Sequence, residues 1–170
     1  NPCSEYMFLD DTACNLASLN LLKFYDIEND RFKIDDLLHA IRLCTLVLEI
    51  SIVMAQFPSK EIARKSYDYR TLGLGFANLG SLLMVMGIPY DSDKGRGIAG
   101  GLSAIISAEG YAQSARIAAE AGSFPAYERN REEMLRVIRN HRRAAYAKPN
   151  DEYEDLSVFP VPLDPDICPP

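Results

Sequence analysis

A run of apolar residues at helical spacing, beginning at Ile34, constrains the fold of this chain most. Asp35 and Asp36 stand in its first turn, where negative charge suits the helix dipole. The positions that recur every three or four residues are Ile34, Leu37, Leu38, Ile41, Leu48 and Ile52. Since further apolar residues lie between them, we predict a helix that is buried nearly all round. Such a helix requires more surrounding structure than a helical hairpin provides.

The rest of the chain is predicted to be mostly helical. Helices are expected over residues 58–67, 76–86 and 129–146, and a long one from Asp91 or Ser92 to Ala121, ending at Gly122. A short buried strand or loop is expected over 13–22, and a short strand or turn over 71–75. These few strands cannot bury so many apolar helices. A fragment of a larger α/β architecture therefore explains the pattern better than a helical bundle.

Length, charge, hydropathy and cysteine content argue against several classes of protein. The 170 residues suit one domain, and the net charge of -6 disfavours binding to a nucleic acid polymer, which needs a basic face. No secretory leader is visible. The most apolar stretch, residues 43–55, contains Glu49 and is too short to span a membrane. The four cysteines form no CxxC pair, which argues against a structural metal site and favours a reducing cytoplasm.

The first five residues carry the most suggestive chemistry. In an extended chain, Asn1, Cys3 and Glu5 share one face: an amide, a thiol and a carboxylate. The amide can orient a hydroxyl, and the carboxylate can accept its proton. Because the carboxylate disfavours a thiolate, Cys3 suits hydrogen-atom exchange better than nucleophilic attack. Cys14, nine residues after Glu5, could supply reducing equivalents. Taken singly, each of these residues is as well explained by a turn or a small buried side chain.

Two longer runs carry a family resemblance. The run NPCSEYMFLDDTACNLASLNL closely resembles the catalytic segment of ribonucleotide reductase large chains, especially the adenosylcobalamin-dependent (class II) members. The run YDYRTLGLGFANLGSLLMVMGIPYDSDKGRGIAGGLSAIISAEGYAQSARIA is similar to the helical stretch that follows it, and the likeness continues to NHRRAAY at 140–146. The fold implied is part of a ten-stranded α/β barrel with the radical cysteine on an internal loop. Residues 1–170 would form one partial barrel domain, with 147–170 an extended, proline-rich tail.

The resemblance implies a role for each matching residue. Cys3 falls on the thiyl-radical cysteine that abstracts the ribose 3′ hydrogen, Glu5 on the base for the 3′-hydroxyl proton, and Asn1 on the amide that holds the substrate hydroxyls. Cys14 falls on one member of the redox pair that reduces the 2′ position and becomes a disulfide. The substrate-contacting stretch is Asn1, Pro2, Cys3, Ser4 and Glu5.

Cofactor and partners follow from the same resemblance. Adenosylcobalamin would generate the radical, although the sequence carries no recognisable cobalamin or metal motif. The partners implied are a ribonucleotide substrate, such as a diphosphate, a thioredoxin-like reductant and the remainder of the catalytic chain, with a homodimer allowed. The family places the redox partner of Cys14 and the effector region upstream of this segment. It places the phosphate-binding loop downstream. Because the chain begins with Asn1 rather than Met, we expect a processed or partial chain. Since the resemblance places those regions outside this segment, we expect the segment to be inactive alone.

Three alternatives stay open at this point. A class I large chain would receive its radical from a metal-containing partner subunit. A catalytically silent helical interaction fragment would keep every function after Cys3→Ala. A simple thiol redox protein would form a Cys3–Cys14 disulfide and lower the thiolate pKa of one cysteine, which the neighbouring Glu5 disfavours.

The remaining candidates have plainer interpretations. We expect Cys44 to be a core residue, and no role follows for Cys168. The glycines at 73, 75 and 80 fail the G-x-G-x-x-G spacing and suggest a turn followed by close helix packing. His39 and His141 lack companions at metal-ligand spacing. The basic residues Arg139, His141, Arg142 and Arg143 suit a solvated helix end better than a phosphate site. Glu49 is a buried charge without an identified partner.

Overall fold

A parallel pair of strands forms the centre of the protein. The computed structural model describes residues 7–164 and 166–167. Strand β1 (Asn15–Asn20) pairs in parallel with β4 (Leu72–Ala77), in a register that sets Leu16 opposite Gly73. The crossover between them contains α1 (Ile34–Met54) and α2 (Lys60–Tyr69). Parallel pairing requires such a long connection, so the segment is an α/β unit, as predicted.

The remaining elements complete a mostly helical chain. A 3-10 turn (Leu21–Phe24) leads into an antiparallel hairpin of β2 (Tyr25–Asp26) and β3 (Arg31–Phe32). After β4 come α3 (Leu79–Val85), α4 (Asp93–Ala121), α5 (Tyr127–Ala145) and a 3-10 turn at Asn150–Glu152. The described residues thus form a two-stranded parallel sheet with helices, and these strands do not close a barrel.

The core lies between the sheet, α1 and α4. Its buried side chains are Leu19, Leu21, Tyr25, Leu37, Ile41, Leu82, Leu102 and Ile106. Cys44 packs against this cluster, which confirms its predicted role as a core residue. Burial of each large aliphatic side chain contributes roughly 1.5–3 kcal/mol, so this cluster is the main source of stability in the described part of the chain.

The prediction that α1 is buried nearly all round is wrong for the described residues. Its inner positions, such as Ile41 and Leu48, are buried, but an outer stripe of apolar side chains faces solvent. This outer stripe consists of Leu43, Leu46, Val47, Ile50, Val53 and Met54. With 21 residues, α1 is also the one described helix long and apolar enough, by length and composition alone, to cross a bilayer. The difference arises because the described elements cover α1 from one side only.

The boundary between β4 and α3 differs most clearly from the sequence prediction. Strand β4 continues to Ala77, and α3 begins at Leu79 rather than at Phe76, because Phe76 pairs with Leu19 in the ladder. Asn78 separates the two elements in a left-handed conformation, with φ of 63°. Gly73 and Gly75 lie within β4, which confirms the strand among the two alternatives predicted for 71–75; the turn that the glycine spacing suggested is wrong. The β2–β3 hairpin was not predicted.

The glycine-rich α4 allows the tail to approach its backbone closely. A Cβ at Gly100 would lie 2.6 Å from Leu163 Cδ2, and a Cβ at Gly97 would overlap the side chain of Ile167. The described part of the tail therefore packs along α4. The Leu163 amide also donates to the Ala144 carbonyl at 3.2 Å, which joins the tail to α5.

Candidate active site

The predicted catalytic and substrate-binding residues divide into two groups. Cys14 is described, immediately before β1. The others lie outside the described residues: Asn1, Pro2, Cys3, Ser4 and Glu5. Cys14 is therefore the predicted site residue whose surroundings the structure describes.

The residues on both sides of Cys14 are anchored by serine hydroxyls. The Ala13 amide donates to Ser66 Oγ at 3.1 Å, and Ser66, on α2, is 1% exposed. The Asn15 Nδ2 group donates to Ser51 Oγ at 2.7 Å, and that hydroxyl donates in turn to the Leu48 carbonyl at 2.8 Å. The backbone at Cys14 is thus fixed against α1 and α2 at once.

The Cys14 side chain lies on the sheet face opposite α1. Asn15 points towards α1, and successive side chains of an extended chain point to opposite faces. The Cys14 Sγ atom lies 3.5 Å from the Asn15 carbonyl oxygen, and it sits against Gly73, where an added Cβ would be 3.1 Å away. On the same face, Leu16 is 68% exposed. The thiol is therefore half-buried, at a sheet face that the described residues leave partly exposed.

The turn that leads to Cys14 is also held in place. Lys65 Nζ donates to the Asp10 carbonyl at 3.0 Å and pairs with Asp11 Oδ2 at 3.2 Å. Thr12 Oγ1 donates to the Leu9 carbonyl at 2.6 Å. Asp11 adopts a left-handed φ of 60°, which the turn requires. These contacts fix the direction in which the chain approaches β1 from its N-terminal side.

Sequence reasoning missed the residues that position Cys14. Ser51, Ser66 and Gly73 lie 36 or more residues away along the chain, and nothing in their local pattern indicates this role. Both serines stand inside helices, where a hydroxyl commonly bonds its own helix backbone. The contact of Gly73 with Cys14 depends on the register between β1 and β4, which the sequence does not give.

Glu49 and the basic residues of α5 have partners. Glu49 pairs with Arg70, and both side chains are largely buried. Arg139 and Arg143 bind the carboxylate of Glu154 at 2.6 and 2.5 Å. Arg139 stays exposed, as the predicted solvated helix end implies, whereas Arg143 is half-buried because the tail folds back over α5. The His141 Nδ1 atom lies 2.9 Å from the Val137 carbonyl.

Comparison with known proteins decides the family. The model of the family described as "Ribonucleotide reductase, barrel domain" matches residues 1–157. This chain belongs to the ribonucleotide reductase barrel-domain family. The match confirms the resemblance predicted from the sequence, and it makes β1, α1 and β4 parts of a barrel-domain segment.

Individual ribonucleotide reductases are similar over nearly the whole chain. A "Vitamin B12-dependent ribonucleotide reductase" of Agrobacterium fabrum is 64% identical over 96% of this chain, and one of Bradyrhizobium diazoefficiens is 62% identical over 99%. A "Vitamin B12-dependent ribonucleoside-diphosphate reductase" of Mycobacterium tuberculosis is 33% identical over 77%. The chain spans 13% of the length of the first two relatives and 19% of the third.

No group of three or more His, Cys, Asp and Glu side chains within 7–164 and 166–167 could hold a metal ion. A corrin brings its own cobalt, so cobalamin requires no such group.

Proposed function

We propose that this chain is part of the catalytic domain of a vitamin B12-dependent ribonucleotide reductase, which converts ribonucleotides into 2′-deoxyribonucleotides. The observation that carries the proposal is the 64% identity to a protein of that name over 96% of the chain. In this reading, β1 and β4 are two parallel strands of the family's ten-stranded barrel, and residues 1–170 form one partial domain. The reaction belongs to the longer protein, and the isolated segment is inactive.

The predicted site residues divide the chemistry between them. Cys3, as a thiyl radical, takes the 3′ hydrogen of the ribose, and Glu5 accepts the 3′-hydroxyl proton; both return to the sugar once the 2′ carbon has been reduced. Asn1 holds the hydroxyls, with Pro2 and Ser4 lining the substrate. The 2′-hydroxyl leaves as water. Cys14 and a second cysteine elsewhere in the longer protein together supply two electrons and two protons and become a disulfide. A ribonucleotide and a dithiol thus give a deoxyribonucleotide, a disulfide and water.

The surroundings of Cys14 support its share of this work. Its thiol lies on the partly exposed face of the β1–β4 pair, and the backbone on both sides is anchored through Ser51 and Ser66. A reductant must meet the substrate carbon in a fixed geometry, which such anchoring provides. A half-buried thiol at a partly exposed face can also meet a second cysteine and an external dithiol.

Partners and compartment are part of the same proposal. The remainder of the catalytic chain covers the outer stripe of α1, and a thioredoxin-like protein reduces the disulfide after each turnover. The name of the mycobacterial relative supports a nucleoside diphosphate as substrate. A homodimer is compatible with this arrangement. Thiols that must be reduced again place the enzyme in the cytoplasm.

Adenosylcobalamin, when bound, supplies the initiating radical. The names of the B12-dependent relatives support it as the cofactor. No step at Cys14 requires it directly.

The test is deoxynucleotide formation by the longest natural protein that contains this segment, with a dithiol and with or without adenosylcobalamin. We expect product that depends on the cofactor and disappears in Cys3→Ala and Cys14→Ser. Cys44→Ser is the matched control, because Cys44 packs against the core, and it should stay within about twofold of the unaltered protein.

Two results would contradict the proposal in different ways. Product that forms without cobalamin but requires a second protein would retain the family and assign class I. Product from Cys3→Ala equal to that of the unaltered protein would remove the radical role and favour a silent interaction fragment.

A further inference from the structure

Gly73 lies close to the Cys14 thiol, whereas Gly75, the next glycine of β4, has no such close neighbour. A Cβ at Gly73 would lie 3.1 Å from Cys14 Sγ and would overlap Leu16 Cδ2. A Cβ at Gly75, two residues later on the same face, would meet Ser18 Oγ at 4.0 Å, an ordinary contact. Gly73 is therefore the position on β4 where a side chain would compete with the thiol for space.

From this contact we infer that Gly73 is a positioning residue for the Cys14 thiol. The absence of a side chain at residue 73 lets the sulfur settle against the backbone of β4, at the site that the β1–β4 register fixes. The inference rests on the proposed function, because it concerns the use of Cys14 as a reductant. It adds a residue of β4 to the groups that position the reductant. Gly73 lies opposite Leu16, 57 residues further along the chain.

The two neighbours of residue 73 differ in their freedom to move. Leu16 is 68% exposed, so its side chain can rotate into solvent at small cost. The Cys14 side chain is short, and the backbone beside it is held by Ser66 and Ser51. A methyl group at residue 73 would therefore leave the strand pairing intact and move the sulfur by a few tenths of an ångström or into another rotamer.

The experiment compares Gly73→Ala with Gly75→Ala in the longest natural protein that contains the segment. Misplacement of a reacting group by about 1 Å can cost about a hundredfold in rate, so we expect kcat to fall by about tenfold in Gly73→Ala while KM for the ribonucleotide stays within about twofold. Gly75→Ala should keep both constants. Melting temperatures of the two variants should agree.

A second readout follows the thiol itself. In the reduced protein, the rate at which iodoacetamide alkylates Cys14 is measured by peptide mass spectrometry, with Cys44 of the same chain as the reference. Gly73→Ala should change the ratio of the two rates by about threefold or more, since a displaced thiol has new surroundings. The ratio in Gly75→Ala should match that of the unaltered protein.

The double variant Leu16→Ala/Gly73→Ala separates the two contacts. Removal of the Leu16 side chain relieves its overlap but leaves the methyl group against Cys14 Sγ, so kcat should stay low. Recovery of kcat in the double variant would show that Leu16 crowding causes the defect and would overturn the inference. An unchanged alkylation ratio or an unchanged kcat in Gly73→Ala would overturn it as well.

Cys14→Ser distinguishes failure of this inference from failure of the proposed function. If Cys14→Ser keeps full turnover, Cys14 is not the reductant, and both fail together. If Cys14→Ser is inactive while Gly73→Ala behaves as the unaltered protein, the proposed function stands and the positioning role of Gly73 is rejected.

Discussion

Glu49 and Arg70 form a largely buried ion pair between α1 and the residue that ends α2. Their side chains are 20% and 16% exposed. Arg70 adopts a left-handed conformation with φ of 50°, its guanidinium lies 4.4 Å from the centre of the Tyr67 ring, and burial lowers its pKa. In this environment water is largely excluded, so each charge relies on the opposite charge to offset its desolvation cost.

Removal of one member should therefore destabilise the protein. We expect Glu49→Gln to lower the free energy of unfolding by about 2 kcal/mol, less than a fully buried pair would lose, because Arg70 is left largely buried without its carboxylate. Urea denaturation followed by circular dichroism measures the change. Arg64→Ala is the control, since Arg64 pairs with Asp68 at the exposed surface, and it should change the free energy by less than about 0.5 kcal/mol.

For single residues, the sequence predicts which side chains carry reactive or charged groups, but not which residues they contact in the fold. An acidic residue in an apolar run marks Glu49 as a buried charge, but its partner depends on where α2 ends and turns left-handed. In the same way, the chemistry expected of Cys14 follows from the residues around it in the chain. Its neighbours Ser51, Ser66 and Gly73 follow only from the tertiary fold.

Among the elements, the contact between α5 and the tail is the most polar. The side chain of the buried Asn140 makes two hydrogen bonds to the backbone of Glu154. Its Nδ2 group donates to the Glu154 carbonyl at 2.9 Å, and its Oδ1 atom accepts from the Glu154 backbone N–H at 3.0 Å. The Glu154 carboxylate binds Arg139 and Arg143, whose hydrogen bonds lower its pKa from 4.5 to about 2. Backbone and side chain of one residue thus join the tail to the helix.

The pKa of Glu154 gives this contact a pH dependence. Because the folded value lies below the ordinary value of 4.5, the carboxylate contributes stability above pH 4.5 and loses it as the pH falls towards about 2. We expect the unaltered protein to melt at a higher temperature than Glu154→Gln at pH 7, with the difference shrinking between pH 4.5 and 2. Thermal melts across this range test it, and a difference that is constant with pH would contradict it.

Local chemistry explains which element boundaries the sequence predicts. Ser92 Oγ accepts from the Gly95 amide at 3.0 Å and begins α4, and Gly122 ends it with φ of 85°, both as predicted. The end of β4 was misplaced because Phe76 continues an apolar helical pattern while its backbone pairs with Leu19. Caps depend on neighbours in sequence, whereas strand ends depend on a distant partner.

At the scale of the whole molecule, the outer stripe of α1 is a contiguous apolar surface that is exposed in the described part of the chain. Val47 and Met54 are 61% and 77% exposed, and no described element covers them. A contiguous apolar stripe of this kind indicates a surface that another part of a protein contacts. The occupant that we proposed is the remainder of the catalytic chain.

The isolated chain should therefore self-associate. We expect Val47→Lys to lower the average mass of the 170-residue chain in solution, because a charge interrupts the outer stripe. Sedimentation velocity at several concentrations measures it. Val137→Lys provides the control: Val137 is exposed on α5, outside the stripe, and its substitution should leave the mass distribution unchanged. Equal masses for the unaltered chain and Val47→Lys would contradict the expectation.

The parallel pairing of β1 with β4 also sets a delay during synthesis. Asn15 pairs with Leu72, so the two partners are 57 residues apart. At a ribosomal rate of about 5–20 residues per second, β1 leaves the ribosome roughly 3 to 11 s before the strand that satisfies its backbone. Throughout that interval the edge of β1 that pairs with β4 is without that partner, and the helices α1 and α2 or a chaperone must shield it.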